Sequence, residues 1–417
     1  MIHSVSVSWH FSFRVSSLFL CLFPLAMNSD YPLTETAAPQ PVQESSVRKS
    51  WPNESKPAAA PLSKHATHLY TVSYLILFSL LGTLARLGLQ ALTFYTGAPV
   101  VTGVLWANVC GSLVMGFLSE DKNLFREEWG EPKTEADADT AAQNHKAVKK
   151  TIPLYIGLTT GFCGCCTSFS SFIRDVFLAL ANALPDPSLP SGVAIASRNG
   201  GYSFMALVAV ILMTVSLSLS ALIFGAHLAL ALSRYTPAVP FAFMRRFGDR
   251  VVVVLAWGCW LGAVFLAIWP PDRHDELDVW RGRAVFALVF APLGCLLRFY
   301  VSLSLNSRVP AFPMGTFAVN VFGTIIEGVC YDLQHVGGLG AVVPTALTGC
   351  QVLQGVMDGF CGSATTISTW VSELNGLKRR RHAYVYGVTS VVVALGFLIV
   401  IMGSLLWTRG FADAVCE

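Results

Sequence analysis

Charged side chains are scarce in this 417-residue sequence. Lysine, arginine, aspartate and glutamate make up 13% of the residues, about half the share that a soluble domain carries. Apolar residues make up 53%. This balance excludes an ordinary soluble domain and predicts an all-helical protein that crosses the lipid membrane several times. The formal net charge of +3 is too small to indicate a nucleic-acid partner, and the basic residues lie at segment ends.

Catalytic groups are scarce as well. The sequence shows no pairing of a nucleophile with a base and no cluster of metal ligands, so we do not expect an enzyme. The eleven cysteines lie mostly within apolar segments, where a free cysteine behaves as a small hydrophobic residue. They predict neither a disulfide framework nor a particular redox compartment.

Long apolar segments follow one another after residue 69. Residues 1–69 are predicted to form a disordered cytoplasmic tail; an apolar run within 1–27 could act as a signal peptide, but cleavage there would oppose the charge pattern described below. Nine later segments are long enough to cross the hydrocarbon core. Their predicted bounds are 70–94, 100–118, 152–183, 203–233, 251–269, 284–304, 312–333, 341–373 and 384–407.

The positions of lysine and arginine predict the orientation, because cytoplasmic loops of membrane proteins are enriched in both. If the N-terminus is cytoplasmic, 19 of these residues fall on the inside and 5 on the outside. The sequence therefore predicts a cytoplasmic N-terminus and an extracellular C-terminus.

Motifs of the first half return in the second. Arg86 and Arg298 each lie four residues after a glycine, and Asn108 and Asn320 each lie in a Gly-x4-Asn-x2-Gly pattern; both pairs are 212 residues apart. Two four-helix repeats are therefore predicted, and the single connecting helix between them inverts the second. Such repeats place shared ion sites near the midplane of the membrane. The predicted units are the first repeat 70–234, the linker with its helix 235–280, the inverted repeat 281–410 and a short tail 411–417.

The third segment of each repeat contains glycine and hydroxyl residues that are unfavourable for a continuous helix in lipid. Gly-Phe-Cys-Gly occurs at 161–164 and again at 359–362, and hydroxyl residues follow both copies. Two glycines three residues apart weaken a helix. Because an interrupted helix is tolerated in lipid only when it is buried in protein or lines a cavity, we expect an ion site at these breaks.

Several residues near the breaks have two interpretations. Asn108 and Asn320 could make interhelical hydrogen bonds, or their amide groups could replace part of an anion's hydration shell. Phe169 and Phe172 share a helix face, which usually indicates packing, but the positive ring edges could also face a small anion. Where the two breaks cross, four backbone carbonyls could hold a monovalent cation, or the glycines could simply allow close packing.

Acidic residues and one histidine are the remaining candidates. Glu327 and Asp358 have no counterparts in the first repeat and are interpreted as local hydrogen-bonding or interface groups. Asp175 and Glu373 correspond to each other and are predicted at a helix exit near a pore mouth or in a capping contact. His227 has no counterpart, and we expect it to be buried for structural reasons.

Taken together, the motifs resemble those of the fluoride channel family, which comprises the bacterial Fluc (CrcB) proteins and the fused two-domain FEX exporters of fungi. The likeness covers about 70–410. It implies a double-barrelled bundle with a structural sodium ion where the broken helices cross. The residues implied are Gly164, Thr167, Gly362 and Thr365 for sodium, Asn108, Asn320, Phe169, Phe172, Ser170, Thr369 and Ser390 for a fluoride pore, and Arg86 and Arg298 as first-helix arginines.

The second repeat departs from this family pattern at two positions. Ile367 and Trp370 stand where phenylalanines are expected, so we expect one working pore and one degenerate pore. Tyr386 lies one helical turn before Ser390 and could add a hydroxyl group. The resemblance implies passive, selective fluoride export across the plasma membrane by a single fused chain. The alternative is a proton-coupled fluoride antiporter that uses Glu327, Asp358 or His227.

Overall fold

The computed structural model describes residues 64–100, 102–129, 148–189, 198–269, 284–337, 346–414 and 416. Within these ranges the chain is helical and contains no strand. The predicted tail up to residue 63, with its candidate signal peptide, lies outside the described residues. So do residues 130–147 of the predicted first repeat, residues 270–280 of the predicted linker and residues 341–345 of the predicted segment 341–373.

The main helices are numbered here in chain order. They are α1 (Lys64–Thr93), α2 (Leu105–Glu120), α3 (Phe169–Leu180), α4 (Gly200–Ala231), α5 (Asp249–Ile268), α6 (Phe286–Leu305), α7 (Met314–His335), α8 (Ser368–Gly376) and α9 (Arg380–Thr408). Short helices span Arg126–Trp129 and Phe241–Phe243, and a π-helical turn, Met244–Gly248, leads into α5.

Seven helical stretches within the described residues are long and apolar enough to cross a membrane. The helix α2, with only 16 residues, and the stretch 346–376 are not among the seven. The predicted all-helical membrane fold is confirmed, while the count of nine spans stays a prediction.

Both segments with Gly-Phe-Cys-Gly are interrupted. In the first, Pro153–Ile156 leads into a π-helix, Gly157–Cys163, and one further turn, Gly164–Cys166, before Thr167 turns extended at φ −98° and ψ 146°. The helix α3 then begins at Phe169.

The second segment repeats this order. Ala346–Gly355 leads into the π-helix Val356–Cys361 and the turn Gly362–Ala364, and Thr365 is extended at φ −97° and ψ 156°. A π-helix inside an α-helix is rare and often marks a functional site. We call Thr167–Ser168 the first break and Thr365–Ile367 the second break.

Each half of the chain contributes one helix to a bundle that the other half forms. The helix α2 packs along α4, and α8 from the second half lies against both; we call these three the N bundle. Likewise α7 packs along α9, and α3 from the first half lies against both; these form the C bundle. The helices α1 and α6 pack on each other and on the segments that precede the breaks, and α5 contacts both.

The C-terminal tail is fixed to the end of α7. Cys350 and Cys416 form a disulfide with Cα atoms 5.8 Å apart, and the Ala412 amide donates to the His335 carbonyl at 2.9 Å. The cysteine pattern of the sequence did not predict this pair. The two residues are separated by 66 positions, so no spacing motif identifies them.

Candidate ion pathway

The two breaks are joined by a threonine hydroxyl from each repeat. The Thr365 hydroxyl accepts hydrogen bonds from the Phe169 amide at 3.2 Å and the Ser170 amide at 3.1 Å, and donates to the Cys361 carbonyl at 2.9 Å. The amides at the start of a helix have no partner within that helix. Thr365 of the second repeat therefore caps α3 of the first.

Thr167 does the same for the second repeat. Its hydroxyl accepts from the Ile367 amide at 3.2 Å and the Ser368 amide at 3.1 Å, and donates to the Cys163 carbonyl at 3.1 Å. Both threonines are fully buried. Each half of the chain thus supplies an additional cap to a helix of the other half.

Each break is also held by an asparagine from its own repeat. Asn108 on α2 accepts from the Ser168 amide at 2.8 Å and donates to the Ser168 carbonyl at 3.4 Å. Asn320 on α7 makes the same pair of bonds with Thr366, at 2.9 and 3.3 Å. Both asparagines are fully buried. The hydrogen-bonding interpretation therefore holds for both, and a role in a pore stays a prediction.

These side-chain bonds free four backbone carbonyls at the crossing. In a continuous helix a carbonyl bonds the amide four residues later. Here those amides donate to side chains instead: two to the asparagines, and those of Ser171 and Thr369 to the hydroxyls of Ser168 and Thr366 at 3.2 and 3.4 Å. The freed carbonyls belong to Gly164, Thr167, Gly362 and Thr365, the residues that the family resemblance implies for sodium.

Arg86 of α1 reaches across to the second repeat. Its Nε donates to the Cys165 carbonyl at 3.1 Å, and a terminal nitrogen donates to the Asp358 carbonyl. The Asp358 carboxylate lies 3.8 Å from the guanidinium. The guanidinium also occupies the space that a Cβ on Gly362 would need, so a larger residue at that position would displace the guanidinium.

Arg298 of α6 mirrors this arrangement. It donates to the Ser363 carbonyl at 2.9 Å and to the Thr160 carbonyl at 2.7 Å, and its guanidinium fills the space beside Gly164. Both first-helix arginines are buried. They hold the crossing of the two broken segments by bonding carbonyls from both repeats.

A buried carboxylate on α8, Glu373, binds side chains at one end of the C-bundle helices α7 and α9. Glu373 accepts hydrogen bonds from the Thr316 hydroxyl at 2.6 Å, the Asn306 amide at 3.1 Å and the Tyr386 hydroxyl at 2.7 Å. The Ser390 hydroxyl donates to the Tyr386 carbonyl one turn along α9. Glu373 is only 5% exposed and lies in the last turn of α8, where its carbonyl accepts from the Leu377 amide at 3.1 Å; a position near a pore mouth stays a prediction.

An aromatic contact lies next to this network. The rings of Phe169 and Trp370 meet edge to face at 5.4 Å between centroids, and those of Phe169 and Phe172 at 5.8 Å. All three side chains are at most 1% exposed. The predicted phenylalanine pair is therefore part of a larger aromatic cluster that includes a residue from the second repeat.

The other predicted pore hydroxyls lie at the breaks. The Ser170 hydroxyl is 3.0 Å from the Thr365 hydroxyl and fully buried. Thr369 is half-buried, and its hydroxyl is 3.5 Å from that of Thr366. Both are therefore close to the crossing.

The intramembrane acids have partners that the sequence did not indicate. Glu327 on α7 is fully buried and lies 2.9 Å from a guanidinium nitrogen of Arg174 on α3. Asp358 lies beside Arg86 as described above. His227, expected to be buried, is exposed on the outer side of α4. Ion pairs between the repeats thus account for both acids.

The N bundle can be compared with the C bundle position by position. The 212-residue offset relates α2 to α7, and equivalent glycine contacts relate α4 to α9: Gly116 packs on Leu222, and Gly328 packs on Leu398. By this alignment Val210 corresponds to Tyr386 and Thr214 to Ser390.

The N bundle lacks most of the polar groups of the C bundle. Val104 stands in place of Thr316, Val210 in place of Tyr386 and Met115 in place of Glu327, and all three are buried. Asp175 on α3 is the counterpart of Glu373 on α8, and its Oδ2 atom has no hydrogen-bond partner among the described residues. Each bundle has an equivalent asparagine, Asn108 on α2 and Asn320 on α7. Most of the polar side chains near Asn320 have no polar counterpart near Asn108.

Comparison with known proteins agrees with the motifs. The family model described as "CrcB-like protein, Camphor Resistance (CrcB)" matches residues 73–226 and 285–404. A Neurospora crassa protein named Fluoride export protein 1 is 57% identical over 376 residues, 85% of this chain and 70% of that protein. Its namesake in Candida albicans is 36% identical over 332 residues, 79% and 78% of the two chains.

A bacterial relative matches over a shorter length. The Fluoride-specific ion channel FluC of Geotalea daltonii is 34% identical over 117 residues, 27% of this chain and 88% of that protein. No solved structure gives a significant match. The family match in two separate stretches and the extended similarity to the fungal proteins confirm the resemblance drawn from the motifs, and this chain belongs to the CrcB-like family.

Proposed function

We propose that this chain is a passive, selective fluoride channel that exports fluoride from the cytoplasm across the plasma membrane through one working pore. Its relatives carry the names of fluoride exporters and fluoride-specific channels. The observation that carries the choice of pore is the polar series of the C bundle, which the N bundle replaces largely with apolar side chains. The C bundle is the proposed pore, and the N bundle has a structural role.

The order of groups along the C bundle suits a small anion. With a cytoplasmic N-terminus, the anion enters beside Thr316 and Tyr386, then meets Asn320 and the Phe169 ring, and leaves past Arg174. An amide NH2 carries two donors, and the Thr366 carbonyl takes only one of those on Asn320. Hydroxyls, an amide and ring edges can replace hydration without trapping the ion.

Passive conduction needs no coupling ion. A negative cell interior drives an anion outward by about 2.3 kcal/mol per charge for each 100 mV. The acids that a proton-coupled antiporter would use, Glu327 and Asp358, lie beside arginines, and His227 faces outward from the bundle. These contacts favour the channel over the antiporter.

We further propose that a structural sodium ion binds at the crossing of the breaks. The supporting observation is that the carbonyls of Gly164, Thr167, Gly362 and Thr365 have lost their helical partners to side-chain bonds. Buried carbonyl oxygens without such partners are ligands of the kind that alkali cations take in membrane proteins. When bound, the ion would neutralise the converging carbonyl dipoles and hold the two halves together.

The orientation in the proposal rests on two independent features. The distribution of lysine and arginine predicts an extracellular C-terminus, and the Cys350–Cys416 disulfide belongs to the same side of the membrane. Disulfides persist in oxidising compartments such as the cell exterior. Two inverted four-helix repeats joined by α5 give this orientation to both bundles within one fused chain.

The experiment is ion efflux from liposomes that contain the purified protein, with a potassium ionophore to set the voltage. Fluoride and chloride are compared, and a matched pair of variants separates the bundles: Asn320→Asp and Asn108→Asp. Each aspartate keeps the acceptor that holds its break. The assay is run at alkaline pH so that the new carboxylate is ionised.

We expect voltage-driven fluoride efflux that excludes chloride, is abolished by Asn320→Asp and is preserved by Asn108→Asp. A carboxylate about 4 Å from the passing anion raises its energy by about 4 kcal/mol at an effective dielectric constant of 20, which slows passage about a thousandfold. Equal effects of the two variants would contradict a single pore in the C bundle. Flux that requires a proton gradient would support the antiporter, and absence of fluoride flux would refute the proposal.

A further inference from the structure

The indole of Trp370 carries a buried hydrogen-bond donor without an acceptor. The side chain is 1% exposed, and among the residues that the structure describes no atom accepts a hydrogen bond from its Nε1. A buried tryptophan N–H usually has a partner, and each exception in a protein interior calls for an explanation. A ligand that takes up this donor is one such explanation.

The position of the ring places this donor beside the proposed pore. Trp370 lies on α8, one turn before Glu373, and its ring meets the Phe169 ring edge to face at 5.4 Å. Its Cζ2 atom, on the same edge of the indole as Nε1, lies 3.8 Å from the point that a Cβ on Gly387 of α9 would occupy. The N–H edge is thus close to Gly387 of α9.

The chemistry of this position fits a small, hard anion. The edge of an aromatic ring is the positive end of its quadrupole, and an indole N–H adds a donor with no acceptor capacity of its own. Phe172, the counterpart of Trp370 in the first repeat, has a ring edge but no such donor. The second repeat therefore differs from the first by one hydrogen-bond donor at this site.

We propose that the Trp370 Nε1–H donates a hydrogen bond to the anion as it passes between Asn320 and Tyr386, so that this tryptophan is a binding residue of the working pore. The inference rests on the proposed function. The sequence departures at Ile367 and Trp370 both predict a degenerate pore. Under this proposal Trp370 belongs to the working pore, and only Ile367 is an apolar replacement.

The test replaces the donor and keeps an aromatic ring. Fluoride efflux is measured over a range of internal fluoride concentrations for the wild-type protein and for Trp370→Phe. Trp407→Phe is the matched control, because Trp407 lies on the neighbouring helix α9 and is 65% exposed. A second protein carries 3-benzothienylalanine at position 370, introduced by nonsense suppression, which keeps the bicyclic shape and lacks only the N–H.

We expect the fluoride concentration for half-maximal efflux to rise about tenfold or more in both proteins altered at 370, since a hydrogen bond to an ion is lost. Trp407→Phe should match the wild type. Unchanged half-saturation in the benzothienylalanine protein would overturn the inference, even if Trp370→Phe loses activity, because ring volume would then be the cause. A wild-type protein that conducts no fluoride would instead defeat the proposed function itself.

Discussion

Replacing Thr365 by valine should destabilise the protein far more than replacing it by serine. Valine has nearly the shape of threonine but no hydroxyl, so the amides of Phe169 and Ser170 lose their acceptor. Both amides are buried, and each unsatisfied donor costs about 1–3 kcal/mol. The expected loss is therefore about 2–6 kcal/mol. Serine keeps the acceptor and removes one methyl group, which costs about 1 kcal/mol.

The assay is the apparent melting temperature of the detergent-solubilised protein, followed by the monodisperse fraction that remains after heating. Membrane proteins of this kind often unfold irreversibly, so the comparison is one of rank at a fixed heating rate. Thr167 provides a second, symmetric test, because its hydroxyl accepts from Ile367 and Ser368 at nearly the same distances. The expected order at both positions is wild type, then serine, then valine.

Two results would refute this reasoning. If valine at 365 melts with the wild type, the hydroxyl does not cap α3. If serine is as harmful as valine, the methyl group that packs beside Gly323, and not the hydrogen bonds, is the essential part. The backbone carbonyl is present in all variants, so the effect is independent of the proposed sodium site.

Three further predictions concern the crossing and the tail. Gly362→Ala should greatly reduce the yield of folded protein, because a Cβ there collides with the Arg86 guanidinium. Gly396→Ala, with open space around it, should leave the yield unchanged. Equal yields of the two variants would contradict the contact. Cys350→Ser should lower the free energy of unfolding by about 2–4 kcal/mol. A membrane-impermeant reductant added to intact cells should lower the melting temperature of the subsequently purified wild type to that of Cys350→Ser. Insensitivity to the reductant would contradict an extracellular disulfide. Exchanging sodium for N-methylglucamine should lower the melting temperature, since a ligand that binds only the folded state stabilises it; a melting temperature independent of the cation would refute the sodium proposal.

The sequence was informative where a local rule was broken. Glycines and hydroxyl residues inside an apolar segment located both breaks, and the recurrence of Asn108 at Asn320 identified two buried side chains that hold them. Such features depend on residues close together in the chain and on comparison of the halves. They required no knowledge of which helices are neighbours.

The parts that the sequence did not reveal depend on contacts between distant helices. The hydrogen-bond partners of Glu373, among them Thr316 and Tyr386, were not predicted because they come from other helices. Glu327 was interpreted as a local hydrogen-bonding or interface group, but its partner was not identified, because Arg174 lies in the opposite repeat and its own counterpart there is Ser372. Comparing the two halves identifies residues that recur in both, and it does not identify residues such as Glu327 and Arg174 that occur in one half only.

The reciprocal contacts at the crossing restrict how such a protein can evolve. Two identical subunits must use one sequence for both partners, so every change appears twice, once in each bundle. A covalent fusion guarantees that one first half meets one second half at a high effective concentration. The buried charges of Glu327 and Asp358 can then exist in one half alone, each beside an arginine of the other. Fusion thereby allows apolar side chains to replace polar ones in one bundle, as at Val104, Met115 and Val210, while the other bundle keeps its polar groups.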